Sequence, residues 1–221
     1  MTTLSYQATL FDQHESGYSV KKIPSIDAHW LILNVHYAKR LPSISFAYGL
    51  FDGEELKGVI TYGTPASSTL LKGIAGEEWA DKVLELNRLV LLENKRNEAS
   101  RLVGASLKLL PSPKIIVSFA DTSQGHEGIV YQATNFLYTG LSTKFLDPKV
   151  KGLEHQHHAT YAHGLTNKQV IEKYGEENVS FVERSRKHRY ITFIGDKRQR
   201  KQMMAALKYK VLPYPKQAAN G

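Results

Sequence analysis

The 221-residue sequence contains no cysteine, which excludes disulfides and any metal site built on thiolates. It has no apolar run long enough to cross a bilayer. Its opening stretch, "MTTLSYQATLFDQHESGYSV", is polar and lacks the apolar centre of a secretion signal. A cytoplasmic protein is therefore expected. Internal repeats and low-complexity linkers are missing, so one domain is expected over residues 1–221. P-loop, Ser-His-Asp and H-E-x-x-H patterns are missing too, which gives no ground for an NTPase, a serine hydrolase or a zincin. Acidic residues are scarce at one end. From Arg184 onward Asp196 is the only acid, and the formal net charge of the whole chain is +8.

What is present is enough for a packed core: 42% of the residues are hydrophobic, too many for disorder to be the default. The run "ISFAYGLFDGEELKGVITYGT" is a hairpin signal, with two β-rich segments flanking Asp52-Gly53. "KVLELNRLVLL" (Lys82 to Leu92) reads as a strand. "NEASRLVGASLKLLP" reads as a helix, with Asn97 or Ser100 as its cap and Ala99, Leu102, Val103, Leu107 and Leu110 on one face. "KIIVSFA" is nearly all apolar, the pattern of a strand buried on both faces. "EGIVYQATNFL" reads as a helix with Ile129, Val130, Ala133 and Phe136 or Leu137 inward. "TNKQVIEKYG" is a short helix capped by Thr166 or Asn167, "HRYITFIG" a strand, and "DKRQRKQMMAALKYK" a basic helix opened by Asp196. "HWLILNVHY" (His29 to Tyr37) fits a strand or a short helix equally. The order implies an α/β fold with one mixed sheet.

Four groups of residues could carry chemistry. Arg184, Arg186, Lys187, Arg189, Lys197, Arg198, Arg200 and Lys201 form a basic C-terminal segment (about 184–221) suited to a polyanion, above all nucleic acid. "RLVGAS" (Arg101, Gly104, Ser106) nearly matches the R-x-x-G-x-G/A pattern of acyl-CoA-binding acetyltransferases, with Ser106 in place of the last small residue. A helix start there could hold a pyrophosphate. His155, His157, His158 and His163 make a cluster of imidazoles that could bind metal or touch phosphates. Asp121, leaving the apolar strand in "ADTSQGHEG", sits where α/β folds place their sites. It can act as a general base, orient an exocyclic amine, or cap the next helix.

Together "NVHYAKRLPS", "LELNRLVL", "NEASRLVGASLKLLP", "VSFADTSQGHEGIVYQATNFLYTG" and "KHRYITFIGDKRQRKQ" resemble the Mom family of phage DNA-modification proteins, from about His29 to Pro215. The most specific part is AD-x-x-Q-G-H-x-G-x-x-Y-Q-A-x-N-[FW]-x-Y-x-G. The resemblance implies a GNAT-like, acetyltransferase-type sheet flanked by helices. It implies an enzyme that converts adenine in duplex DNA to N6-carbamoylmethyladenine and so shields phage DNA from host restriction. It implies an acyl-CoA-like donor, with Arg88, Ser100, Arg101 and Gly104 near it, and an iron near His36 and Tyr37. Asp121 would be an active-site acid, with Tyr48 or Tyr62 supplying a further hydroxyl. Double-stranded DNA is the expected partner, with a homodimer as the other assembly considered and the host cytoplasm as the setting. Tyr131, Phe136 and Tyr138 are candidates for stacking on a base. The competing readings are an acyltransferase acting on a small amine or protein, a non-catalytic DNA-binding protein on the same fold, and a histidine-metal nuclease.

Overall fold

A computed structural model describes residues 17–215 apart from 157 and 163. In chain order the elements are β1 (Tyr18–Lys22), α1 (Ser25–Asn34), β2 (Phe46–Asp52), β3 (Glu55–Gly63), α2 (Ser68–Ala75), β4 (Val83–Leu91), α3 (Glu98–Leu109), β5 (Lys114–Asp121), α4 (Ile129–Ala133), β6 (Leu137–Leu141), β7 (Leu146–Val150), α5 (His158–Ala162), α6 (Asn167–Tyr174), β8 (Val179–Glu183), β9 (Lys187–Ile194) and α7 (Lys197–Ala206). Seven strands form one sheet in the order β1-β2-β3-β4-β5-β9-β6, while β7 and β8 make a separate two-stranded sheet. Only β4 and β5 run parallel in the large sheet. The α/β class with a mixed sheet flanked by helices is as expected.

Local chemistry explains most of these elements. The β2–β3 turn is Gly53-Glu54, closed by the Asp52–Glu55 pair, and Gly53 has the positive φ that the two-residue turn requires. The ambiguous segment at His29 is helical. Ala28, Leu31 and Ile32 are buried at helical spacing, and Pro24 precedes the first turn. His36 and Tyr37 therefore lie in the turn after α1, not on a strand. Thr166 and Asp196 cap α6 and α7 with full capping boxes. In α3 neither Asn97 nor Ser100 caps through its side chain. Asn97 sits at the cap in a left-handed conformation, and Ser100 Oγ donates back to the Asn97 carbonyl at 3.1 Å.

Two inward assignments change. In α3 the buried residues are Glu98, Leu102, Val103 and Ser106. Glu98 turns back to accept from the Tyr18 hydroxyl (2.6 Å) and the Lys95 N–H (2.7 Å). The helix expected over 127–137 is a single short turn, α4. Its buried residue is Tyr131, Ile129 is exposed, and Leu137 already belongs to β6.

The core has two sides. Tyr48, Leu50, Ile60, Tyr62, Leu84, Leu86 and Ile116 pack with α3 and α4. Their strand neighbours Ala47, Val59 and Val90 pack with α1, and Val83, Ile115, Val117 and Ile191 with α2 and α7. Since side chains alternate along a strand, α1, α2 and α7 cover the face opposite α3 and α4. Ile115, Ile116 and Val117 are wholly buried, so β5 is covered on both faces as its apolar sequence requires, each side chain contributing on the order of 1.5–3 kcal/mol. The basic C-terminal segment is not an appended tail: β9 lies inside the sheet between β5 and β6.

Candidate active site

β4 and β5 pair only from Val83–Ile115 to Leu86–Ser118. Beyond that β4 follows β3 to Leu91 and β5 follows β9 to Asp121, so the two strands part. A cavity of about 550 Å³ occupies the gap. A bulge in β4 shapes it. Thr61 pairs with Arg88 and Tyr62 with Leu86, leaving Asn87 extra. Asn87 is held there by Thr61 Oγ1 (2.7 Å) and by the Ser43 carbonyl (2.8 Å). Residues three apart on a regular strand face opposite ways. The bulge brings Glu85 and Arg88 to the same side, and both line the cavity.

The turn after α1 supplies His36 and Tyr37, with rings stacked at 4.4 Å. The turn after β5 supplies His126, 5.9 Å from the Tyr37 ring. Glu127, Tyr131 and Lys187 also line the cavity. Burial, with Arg88 and His126 close by, pulls the His36 pKa down to about 4, so its imidazole is neutral at pH 7. Burial pushes the Tyr131 hydroxyl up to about 12, keeping it protonated. Burial also raises the Glu85 carboxyl, against the opposing pull of Lys187 and Arg88. Arg88 donates to the carbonyls of Asn87 (2.6 Å) and Arg40 (2.9 Å), while its buried Nε has no acceptor among the described residues.

Asp121 stands at the rim and does not line the cavity. One oxygen accepts from Ser123 N–H (3.0 Å), Ser123 Oγ (2.8 Å) and Ser185 Oγ (2.9 Å), and the other pairs with Lys187 Nζ at 3.3 Å. Burial works to raise its pKa, but the serine hydrogen bonds and Lys187 outweigh it and the net shift is downward. Its carbonyl accepts from the His126 N–H at 3.2 Å. The "ADTSQGHEG" stretch is thus a turn tied to Asp121 that delivers His126 to the cavity. At its end Gly128 has positive φ, and a side chain there would run into the Tyr190 ring.

The remaining candidates separate. Tyr48 and Tyr62 are core residues outside the cavity lining. The Tyr48 hydroxyl donates to the Leu109 carbonyl (3.2 Å), and that of Tyr62 bonds Ser106 Oγ (2.7 Å). Ser106, the odd residue of "RLVGAS", is therefore a packing residue. Ser100, Arg101 and Gly104 line a second groove of about 530 Å³ along α3, with Asn97, Thr134 and Asn135. Phe136 is wholly buried. Tyr138 bonds His188 Nδ1 at 2.8 Å.

Among the basic residues Arg184 is bound to Asp147, and Arg186 donates to the Ser142 carbonyl (2.7 Å). Arg189 donates to Thr139 and lies 3.4 Å over the Tyr209 ring. Lys197, Arg198, Arg200 and Lys201 are exposed on α7. That helix begins where β9 ends, at the edge away from Asp121 and Lys187.

Nothing in the structure supports the iron expected near His36 and Tyr37: among the described residues no three His, Asp or Glu side chains converge to hold a metal, and His36 Nδ1 is taken up by the Ala38 N–H at 3.0 Å. In the histidine-rich segment His158 contacts Arg184 (3.0 Å) and Asp147 (3.5 Å). His157 and His163 lie outside the described residues. No described helix is long and apolar enough to cross a membrane.

The sequence profile of the Mom protein family matches residues 17–216. The chain belongs to the Mom family. It is 28% identical over 227 residues to the methylcarbamoylase mom of Escherichia phage Mu, covering 96% of this chain and 90% of that protein. Solved structures with a similar layout include a GNAT-family acetyltransferase from Bacillus cereus (15% identity, 81% of this chain and 99% of that one, TM-score 0.43). Another is Arabidopsis thaliana NAA60 in complex with acetyl-CoA (12% identity, 80% and 98%, TM-score 0.47). Within the Mom match fall the cavity residues His36, Tyr37, Arg88, His126 and Tyr131. Glu85 was not legible as a site residue. In "LELNRL" it alternates with leucines like a solvated position, and only the bulge turns it and Arg88 to the same side.

Proposed function

We propose that this Mom-family protein modifies adenine in double-stranded DNA, converting it to N6-carbamoylmethyladenine and thereby protecting phage DNA from host restriction. The observation that carries the reading is membership of the Mom family over nearly the whole chain, with histidines and tyrosines inside the matched range gathered in one cavity. The named activity of the Mu relative agrees with it.

An adenine in a duplex is stacked, so its amine is reached by flipping the base out. A cavity of about 550 Å³ is within the usual size range of small-molecule sites. Tyr37, half-exposed at the mouth, and His126 offer flat faces for the extruded ring. Neutral His36 and protonated Tyr131 present uncharged polar groups to a neutral heterocycle. Arg88 can give its unsatisfied Nε–H to an acceptor oxygen on either substrate. Asp121 acts as a positioning residue, fixing the His126 turn and Lys187.

An acyl-CoA-like donor fits the α3 groove. Gly104 is in mid-helix, where glycine costs about 1 kcal/mol relative to alanine, yet an added Cβ would meet no atom within 4 Å. Packing does not require the glycine there. Arg101 and the start of α3 would hold the phosphates, and the donor would supply the activated carbon. Gly104→Ala is accordingly expected to stabilise the fold by about 0.4–1 kcal/mol while weakening coenzyme A binding. The checks are a thermal melt and a titration with coenzyme A. A stabilised variant with unchanged affinity would place the donor elsewhere.

The proposed function is tested by restriction challenge. Plasmid recovered from cells producing the protein should resist endonucleases that recognise adenine-containing sites, and plasmid from control cells should be cut. Complete cutting of both would sink the protective role.

A further inference from the structure

We infer that Glu85 is the catalytic group that takes the proton from the amine being modified; this rests on the adenine-modifying reading of the cavity. Three carboxylates stand at the cavity, and their surroundings differ: Glu127 also lines it, but it is engaged with its neighbours and its charge acts on His188 and Tyr190. Asp121 is saturated by three hydrogen bonds and an ion pair and lies outside the cavity lining. Glu85 lines the cavity and carries no hydrogen bond or ion pair to any described residue. It pairs with Val117, one residue before β4 and β5 separate, so rigid backbone on both sides fixes it. A recessed carboxylate that the Lys187 and Arg88 charges reach without a hydrogen bond has its hydrogen-bonding capacity free for a ligand.

The groups around it come from every element that borders the cavity. Arg88 is on its own strand and Lys187 enters from β9, both acting on its charge. Tyr131 of α4 feels the Glu85 charge. His36 and Tyr37 approach from the turn after α1, and His126 and Glu127 from the turn after β5. Burial holds the Glu85 carboxyl above its ordinary range, which moves a carboxylate toward the strength wanted of a base at neutral pH.

The step balances without an oxidant. The amine nitrogen forms a bond to the donor, a carbon electrophile carrying a leaving group. The N–H proton passes to a Glu85 carboxylate oxygen. The bond from donor carbon to leaving group breaks, and the leaving group departs with the electron pair. Adenine N6 is a weak nucleophile because its lone pair is delocalised into the ring. Removal of the proton as the bond forms is then worth about 10²–10⁴ in rate.

The test adds purified wild-type, Glu85→Gln and Glu85→Asp proteins to plasmid DNA in an extract of host cells, which supplies the donor. Modified deoxyadenosine is counted by mass spectrometry across the neutral pH range, and DNA affinity is measured alongside. Glu85→Gln should bind DNA as the wild type does and modify it about 10²–10⁴ times more slowly. The wild-type rate should fall on the acid side with an apparent pKa above that of a free carboxylate, and the residual Glu85→Gln rate should lack that limb. Glu85→Asp should keep the limb at a reduced rate, since a displacement of about 1 Å can cost on the order of 10²-fold. A Glu85→Gln rate equal to wild type, or a loss explained by weaker DNA binding, overturns the assignment. If Glu85→Gln does not fold, a Glu85→Asp rate equal to wild type at every pH overturns it. A wild-type protein that makes no modified nucleoside overturns the adenine reading, and this inference with it.

Discussion

Replacing Asp121 with alanine is expected to lower the unfolding free energy by about 2–3 kcal/mol, the scale of losing hydrogen bonds to a charged group. The substitution removes the acceptor of Ser123 N–H, Ser123 Oγ and Ser185 Oγ and the partner of Lys187. The turn that delivers His126 then loses its anchor. The sign with pH follows from the depressed carboxyl. The contribution is present above the ordinary carboxylate pKa of 3.8 and is lost as pH falls below it through the lower native value. Wild type and variant should therefore converge in stability in strong acid, which denaturant melts at several pH values can read. The geometry also separates this role from general-base chemistry. Asp121→Asn keeps one acceptor oxygen and loses the charge opposite Lys187, so stability and rate should fall together. A rate lower by about 10²–10⁴ at unchanged stability would return the proton-accepting role to Asp121.

Neutralising Lys197, Arg198, Arg200 and Lys201 together is expected to reduce the slope of log affinity against log salt by about 3–4 units, close to 0.9 for each phosphate left without its cation. These four cations are exposed on one helix that carries no acid of its own. Arg184 and Arg189 should behave differently. They are tied to Asp147 and to Thr139 and Tyr209, so their replacement should lower stability while leaving the salt slope nearly intact. An unchanged slope in the fourfold variant would remove α7 from the DNA interface and leave Arg186 and Lys187 as the remaining candidates of the basic segment.

Elements defined by local rules were legible in the sequence. β5 followed from the apolar run at Ile115, Ile116 and Val117, the β2–β3 hairpin from Asp52-Gly53, and α6 and α7 from Thr166 and Asp196. Elements defined by partners were not. β9 was legible as a strand from "HRYITFIG", but its partner β6, paired at Leu137–Ile191 and Tyr138–Tyr190 far away in sequence, was not, and neither were β7 and β8, which pair across a helical insertion of their own. The site divides the same way. The resemblance led to His36, Tyr37 and Arg88, which line one cavity, whereas Ser100, Arg101 and Gly104, assigned with Arg88 to the donor, line the separate α3 groove. It also led to Tyr48 and Tyr62, since nothing in a strand sequence tells a tyrosine facing the core from one facing a cavity. For Asp121 the capping alternative already pointed to the role its contacts support. Glu85 required the β4 bulge, which depends on Thr61 and Ser43 holding Asn87 from distant parts of the chain.

The most direct test of the central claim is nucleoside mass spectrometry of plasmid DNA from cells that produce the protein. After complete digestion a deoxyadenosine heavier by one carbamoylmethyl group is expected, with the added mass retained on the base when the sugar is lost. Digests containing only the four ordinary nucleosides, or a mass change on any base other than adenine, would contradict it.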